Sequence, residues 1–230
     1  SADGSKEGKD VGNKDIFVNV YQPGLNISLT NPSSDVSLVN LSSSISINAA
    51  ASQPATLKLF INSTQIGSTQ SNAASISANY TFSSEGSFYI IAEASNATSV
   101  IRDSAYVCVR PASVPTQRRP EGIKDGINYI SDKDVTLSLF AKGKSFVYLL
   151  GDFNGWKPVN SYQMKKDGDY FWITLNGLIP GKEYAFQYYV DGSIRCADPY
   201  CEKILDPWND KYINQNYDVY PNLKPYPTGL

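Results

Sequence analysis

The sequence predicts an all-β fold, and three observations carry that reading. First, short apolar runs recur with a period of two, the signal of a half-buried strand: Ile16-Val18-Val20, Leu25-Ile27-Leu29, Ile45-Ile47, Leu57-Leu59-Ile61, Phe88-Ile90-Ala92 and Tyr106-Cys108 in the first half, Val135-Leu137-Leu139 and Phe171-Ile173-Leu175 in the second. Second, clusters of turn-forming residues separate the runs: QPG at Gln22 to Gly24, NPSSD at Asn31 to Asp35, SQP at Ser52 to Pro54 and SSEG at Ser83 to Gly86. Third, no helical pattern of useful length competes. Strands at such regular spacing imply antiparallel sandwiches of immunoglobulin-like type, and the chain is read as two of them in tandem.

The first 14 residues, SADGSKEGKDVGNK, are small, polar and charged and read as a flexible lead-in. Residues 15–112 form the first sandwich, rich in Ser, Asn, Ala and Thr. Five Asn-X-Ser/Thr sequons lie within it, at Asn26, Asn40, Asn62, Asn79 and Asn96. They would indicate glycan cover in a eukaryotic secreted protein, but strand faces built from Asn, Ser and Thr also generate the tripeptide by composition. Residues 113–125 read as a linker, because prolines at 115 and 120, after Pro111, deny ladder hydrogen bonds and Arg118 and Arg119 keep it solvated. Residues 126–230 form the second sandwich, with a proline-rich tail from Asp198. Of the 16 tyrosines 12 follow the linker, as do all three tryptophans, so this half is the better candidate for binding a flat ligand.

Within the second half, Phe146 to Leu150 has the aromatic and β-branched content of a buried strand, and Tyr184 to Val190 is a further strand. Gly151, Asp152, Asn154 and Gly155 then supply turn chemistry and set down Trp156. An indole on a loop is a flat apolar plate with one N–H donor, matching the C–H face of a pyranose. The other reading of Trp156 is packing over the end of the sandwich. Lys165 to Asp169 reads as a hairpin with Met164 as its apolar anchor.

At 230 residues the chain is long enough for two domains, each with a core. With 20 basic against 22 acidic residues it has no polycationic footprint, so nucleic acid is not an expected partner. Histidine is absent, which excludes serine-histidine and cysteine-histidine catalysis. Acidic pairs such as Asp167 with Asp169 and Asp206 with Asp210 read as solvated loop carboxylates, no EF-hand spacing occurs, and no metal or cofactor is expected. No run of about 20 apolar residues is present to span a membrane as a helix. Of the three cysteines, Cys196 and Cys201 flank a turn-favouring ADPY and could approach to the roughly 4.4–6.8 Å between Cα atoms that a disulfide needs. Cys108, on an alternating strand, is expected to be a buried free thiol.

GDFNGW at Gly151 to Trp156, FWITLNGLIPGKEYAFQYYVDG at Phe171 to Gly192 and ADPYCEKILDPWND at Ala197 to Asp210, in that order, resemble carbohydrate-binding module family 48. More closely, they resemble the version at the N-terminus of α-amylase-superfamily enzymes from Bacteroides-like bacteria. The resemblance covers roughly Gly126 to Asn214 and implies a small immunoglobulin-like sandwich. In glycogen-binding members an indole at the position of Trp156 stacks on glucose, with a second tryptophan two residues beyond the VDG motif and a lysine four residues before its aspartate. Here those positions hold Ile194 and Gln187, so one plate is kept and two partners are lost. The resemblance therefore implies weak α-glucan binding through Trp156, with Gln187 and Tyr188 as neighbours.

It also implies a non-catalytic N-terminal region of a starch- or glycogen-active enzyme, a platform for a catalytic barrel in the same polypeptide. The barrel, with its aspartate nucleophile, glutamate acid and histidines, does not fit in this chain. The first half then reads as a spacer domain, and the polar lead-in as a tether like that of a surface lipoprotein, placing an exported monomer at the cell surface or in the periplasm. The alternatives are a free-standing surface glycan-binding protein and a purely structural spacer. Tail residues Ile204, Leu205, Trp208, Tyr212, Ile213, Tyr217, Tyr220 and Tyr226 exceed what a small sandwich easily covers and read as a partner surface, the alternative being that the tail folds back as an edge strand and buries them itself.

Overall fold

The computed structural model describes residues 24–33, 36–213 and 224–227. The lead-in 1–14, the Ile16-Val18-Val20 run, Tyr217 and Tyr220 lie outside them. The described chain is all-β, its helical content limited to two single 3-10 turns. Thirteen strands are seen among the described residues: β1 (Ile27–Asn31), β2 (Val36–Asn40), β3 (Ser44–Ile61), β4 (Thr64–Thr81), β5 (Gly86–Ser95), β6 (Val100–Arg110), β7 (Gly126–Tyr129), β8 (Val135–Phe140), β9 (Val147–Gly151), β10 (Lys165–Asp167), β11 (Tyr170–Leu175), β12 (Phe186–Val190) and β13 (Ile194–Cys196). They fold as two compact units that interleave in sequence. Among the described residues, one takes 24–33, 45–80 and 89–105, the other 36–44, 81–88, 106–213 and 224–227.

In the first unit, β3 is the organising strand. Its first part pairs antiparallel with β1, ending at Ala51, and its second part pairs with β5, beginning at Thr56. Ile47, Leu57, Leu59, Ile61, Ile90 and Ala92 are buried, as the period-two runs predict. The expected turn at Ser52 to Pro54 is instead continuous strand. Pro54 falls between the stretch that pairs with β1 and the stretch that pairs with β5. β4 pairs with β3 and buries only Ile76 along its whole length, so it leaves no apolar period to detect.

In the second unit, two sheets face each other, ordered β10-β11-β8-β7 and β13-β12-β9. Their shared core contains Leu137, Leu139, Val147, Leu149, Phe171, Ile173, Tyr188 and Val190, anchored by Met164 beside the hairpin. Every residue of β9 is buried, so both of its faces are covered. The alternation puts Val147 and Leu149 into the sandwich, and Tyr148 and Leu150 onto the opposite face. There Tyr106 and Cys108 of β6 pack on them together with Phe146, joined by Val36 and Leu38 of β2, which pairs in parallel with β6. The polar atoms in this second layer find partners: Tyr148 Oη donates to Asn160 Oδ1 (2.9 Å), Asn160 Nδ2 to the Val109 carbonyl (3.0 Å), and Tyr106 Oη to the Pro158 carbonyl (2.8 Å).

Residues 113–125, expected as a solvated linker, are laid along β10. Lys166 N–H donates to the Pro115 carbonyl (2.8 Å) and Gln117 N–H to the Lys166 carbonyl (3.0 Å). The Trp172 indole reaches the Gln117 carbonyl (2.9 Å), and Arg119 bonds Asp125 (2.7 Å) and Ser138 Oγ (2.9 Å) while lying over the Tyr170 ring. The prolines leave their carbonyls free to accept, and the arginine is held by a carboxylate and a ring, so proline and arginine content here marks an edge segment. The unit boundary accordingly does not fall at this stretch.

The cysteine pair is also corrected: Cys196 and Cys201 are free thiols. Cys196 is committed to the β12–β13 ladder opposite Tyr188, while Cys201 N–H closes the turn on the Asp198 carbonyl (3.1 Å). Cys108 is a buried free thiol, as its strand position predicts.

Candidate functional site

The loop after β9 is built by its own polar groups. Asn154 Oδ1 accepts the Gly151 N–H (2.9 Å) and its Nδ2 donates to the Leu149 carbonyl (2.8 Å), while Trp156 N–H returns to the Gly151 carbonyl (3.0 Å). Gly155 and Trp156 both adopt positive φ, 61° and 62°. For a bulky residue this left-handed backbone costs on the order of 1–3 kcal/mol, so the loop hydrogen bonds hold Trp156 in a strained setting. Gly151 has no room for a side chain: a Cβ there would lie 2.7 Å from both the Ala185 carbonyl and the Phe153 ring.

Asp152 is the anchor of the site. Its Oδ1 accepts the Trp156 indole N–H (3.2 Å), and its Oδ2 accepts Ala185 N–H (2.9 Å) and pairs with Lys224 Nζ (2.9 Å). Partial burial alone would raise the Asp152 pKa, but the Ala185 amide, Lys224 and the indole outweigh it and hold the carboxyl below its ordinary range. The sequence reading gave Asp152 only a turn role. An acceptor four residues before the indole was the one local signal of its part in orienting Trp156, and Lys224 had none.

Trp156 is half-buried, packing on the Tyr106, Cys108, Phe146, Tyr148 and Leu150 layer. It covers this layer, and its remaining surface lines a cavity of about 570 Å³ together with Gln187, Phe186, Leu178, Leu205 and Tyr226. Gln187 pairs with Leu150 across the ladder and so shares that residue's face. Tyr188 does not. As the next residue on β12 it points the other way, is fully buried in the sandwich core, and donates its hydroxyl to Asp198 Oδ2 (2.7 Å), itself 3% exposed. Its expected role as a glucan neighbour is thus corrected, since its side chain is fully buried in the core and bonded to Asp198. Burial and then the Asp198 carboxylate push the Tyr188 phenol well above its usual range, which keeps it a donor. Ile194, where the resemblance would have a second tryptophan, is exposed on β13.

In the tail, Trp208, Tyr212 and Ile213 are exposed, as is Ile204, which with Leu205 and Tyr226 lines the cavity. Among the described residues no group of three or more His, Cys, Asp or Glu is arranged to hold a metal ion.

Residues 125–208 match the family model of carbohydrate-binding module 48, the isoamylase N-terminal domain, in agreement with the motif resemblance. No curated protein matches the chain. Among solved structures it is similar to the Group B Streptococcus pullulanase SAP (15% identity, 84% of this chain and 25% of that one, TM-score 0.31). A pullulanase from Anoxybacillus sp. LM18-11 (14% identity, 75% and 26%, TM-score 0.30) and Bacteroides uniformis beta-glucuronidase 2 (9% identity, 71% and 29%, TM-score 0.32) are also similar. The chain spans about a quarter of the length of these pullulanases.

Proposed function

We propose that this chain is a non-catalytic region of an exported α-glucan-active enzyme, in which the module at 125–208 is chiefly a packing platform for a catalytic barrel and binds α-glucan only weakly. The observation that carries this is the use of Trp156 as packing: one part of the indole lies on the Tyr148 and Leu150 layer, and its N–H is already taken by Asp152. The retained plate thus offers a sugar only part of its surface, and the two partner positions hold Ile194 and Gln187. An aromatic pair adds something like 0.5–1.5 kcal/mol beyond its burial, whereas millimolar binding needs about 4 kcal/mol. Exposed Ile204, Trp208 and Tyr212 supply apolar surface for a barrel to cover.

Calorimetric titration of β-cyclodextrin or maltoheptaose is expected to give a Kd of about 1 mM or weaker, lost in Trp156→Ala. Tight binding, or binding unchanged in the variant, refutes the assignment. The reading frame tests the platform: a barrel-coding segment beyond Leu230 supports it, and a stop codon makes the free-standing glycan-binding protein the better reading.

A further inference from the structure

We propose that residues 224–227 form a strap across the Trp156 cavity, and that α-glucan must compete with this strap for the plate. The proposal rests on the reading of Trp156 as a glucan plate and adds what controls access to it.

Two contacts place the strap. Lys224 Nζ lies 2.9 Å from Asp152 Oδ2, the carboxylate whose other oxygen holds the Trp156 indole. Tyr226 and Pro227 line the same cavity as Trp156 and Gln187. The Lys224 and Asp152 side chains are 26% and 19% exposed, so this pair is sheltered compared with an ordinary surface ion pair. The sequence Lys-Pro-Tyr-Pro suits the task. Pro225 and Pro227 fix φ and lack N–H donors, so the segment can lie on a surface without a strand to pair with, at a low cost in chain entropy. Tyr226 brings an aromatic ring and Pro227 a rigid apolar ring, the kind of surface a pyranose C–H face would otherwise supply to the cavity wall. Asp152 thereby couples the plate to its cover, since one carboxylate orients the indole and tethers the strap.

The test uses the whole chain in a Trp208→Phe background. Trp208 is 76% exposed and Trp172 3%, so without Trp208 the quenching of fluorescence by acrylamide reports Trp156. Lys224→Glu, which replaces the ion pair with Asp152 by a repulsion, is expected to raise quenching. It is also expected to tighten β-cyclodextrin binding by about two- to fivefold, the range set by one partly screened ion pair. Adding Tyr226→Ser should extend both effects. Unchanged quenching in both variants overturns the strap. Raised quenching with measurable but equal cyclodextrin affinity overturns the competition. Raised quenching with no cyclodextrin binding by any of the proteins also overturns it, and locates the failure in the glucan reading of Trp156.

Discussion

Tyr188→Phe separates a structural residue from a sugar contact. The substitution removes one oxygen, leaves the ring and its packing on Leu149 and Val190, and strips Asp198 Oδ2 of the hydroxyl 2.7 Å away. Asp198 keeps the Tyr200 N–H on its other oxygen (2.8 Å) but is 3% exposed, so water does not replace the lost donor. Hydrogen bonds to charged groups contribute about 1.5–3 kcal/mol, and a loss near 2 kcal/mol in a domain of this size lowers Tm by about 4–8 °C. Scanning calorimetry at neutral pH should show that drop, while β-cyclodextrin affinity stays that of the wild type. The alkaline limb adds a second signature. The folded phenol is raised above its unfolded value, so its contribution is fully present below about pH 10 and is lost as pH rises beyond it. The Tm gap between wild type and variant should therefore narrow above that pH. An unchanged Tm with a large loss of glucan affinity would refute the reasoning and return Tyr188 to the binding surface.

Two further predictions follow from the same geometry. Because the Asp152 carboxyl is depressed, its hold on Trp156 is present above the ordinary carboxylate range and is lost as pH falls below about 4, so in the Trp208→Phe background the quenching of Trp156 should rise on acidification, and Asp152→Ala should show the raised level already at neutral pH. All three thiols should alkylate in denaturant without reductant, by intact mass; in the native protein Cys108 should be the slowest, its thiol buried and pushed up to about 12.

What the sequence disclosed follows the physics of burial. β8, β9, β11 and β12 were legible because one or both faces are apolar, and the unbroken run of β9 read as a buried strand, which the structure covers on both faces. β4 was invisible because it meets solvent along almost its whole length. The turn assigned to Ser52 to Pro54 failed because proline forbids a donor but not a strand, and β3 changes partners just there. At the site, GDFNGW marked the loop and its indole. The error at Tyr188 was avoidable, since period two sets it against Gln187. Lys224 was not, because nothing local to a proline-rich tail predicts an ion pair with a carboxylate on a distant loop.

The second layer over β9 sets the smallest piece of this protein that can be handled alone. A module excised at the start of its family match would leave behind β2 and the end of β6, and with them the cover over Tyr148, Leu150 and one part of Trp156. Each such side chain laid bare forfeits roughly 1.5–3 kcal/mol, a large share of a small domain's net stability. The stretch that matches the family is therefore shorter than the unit that packs together here. Transplanting residues 125–208 into another enzyme would require the recipient to supply a sheet of its own, or polar replacements at 148 and 150, before the indole could stand free as a sugar platform.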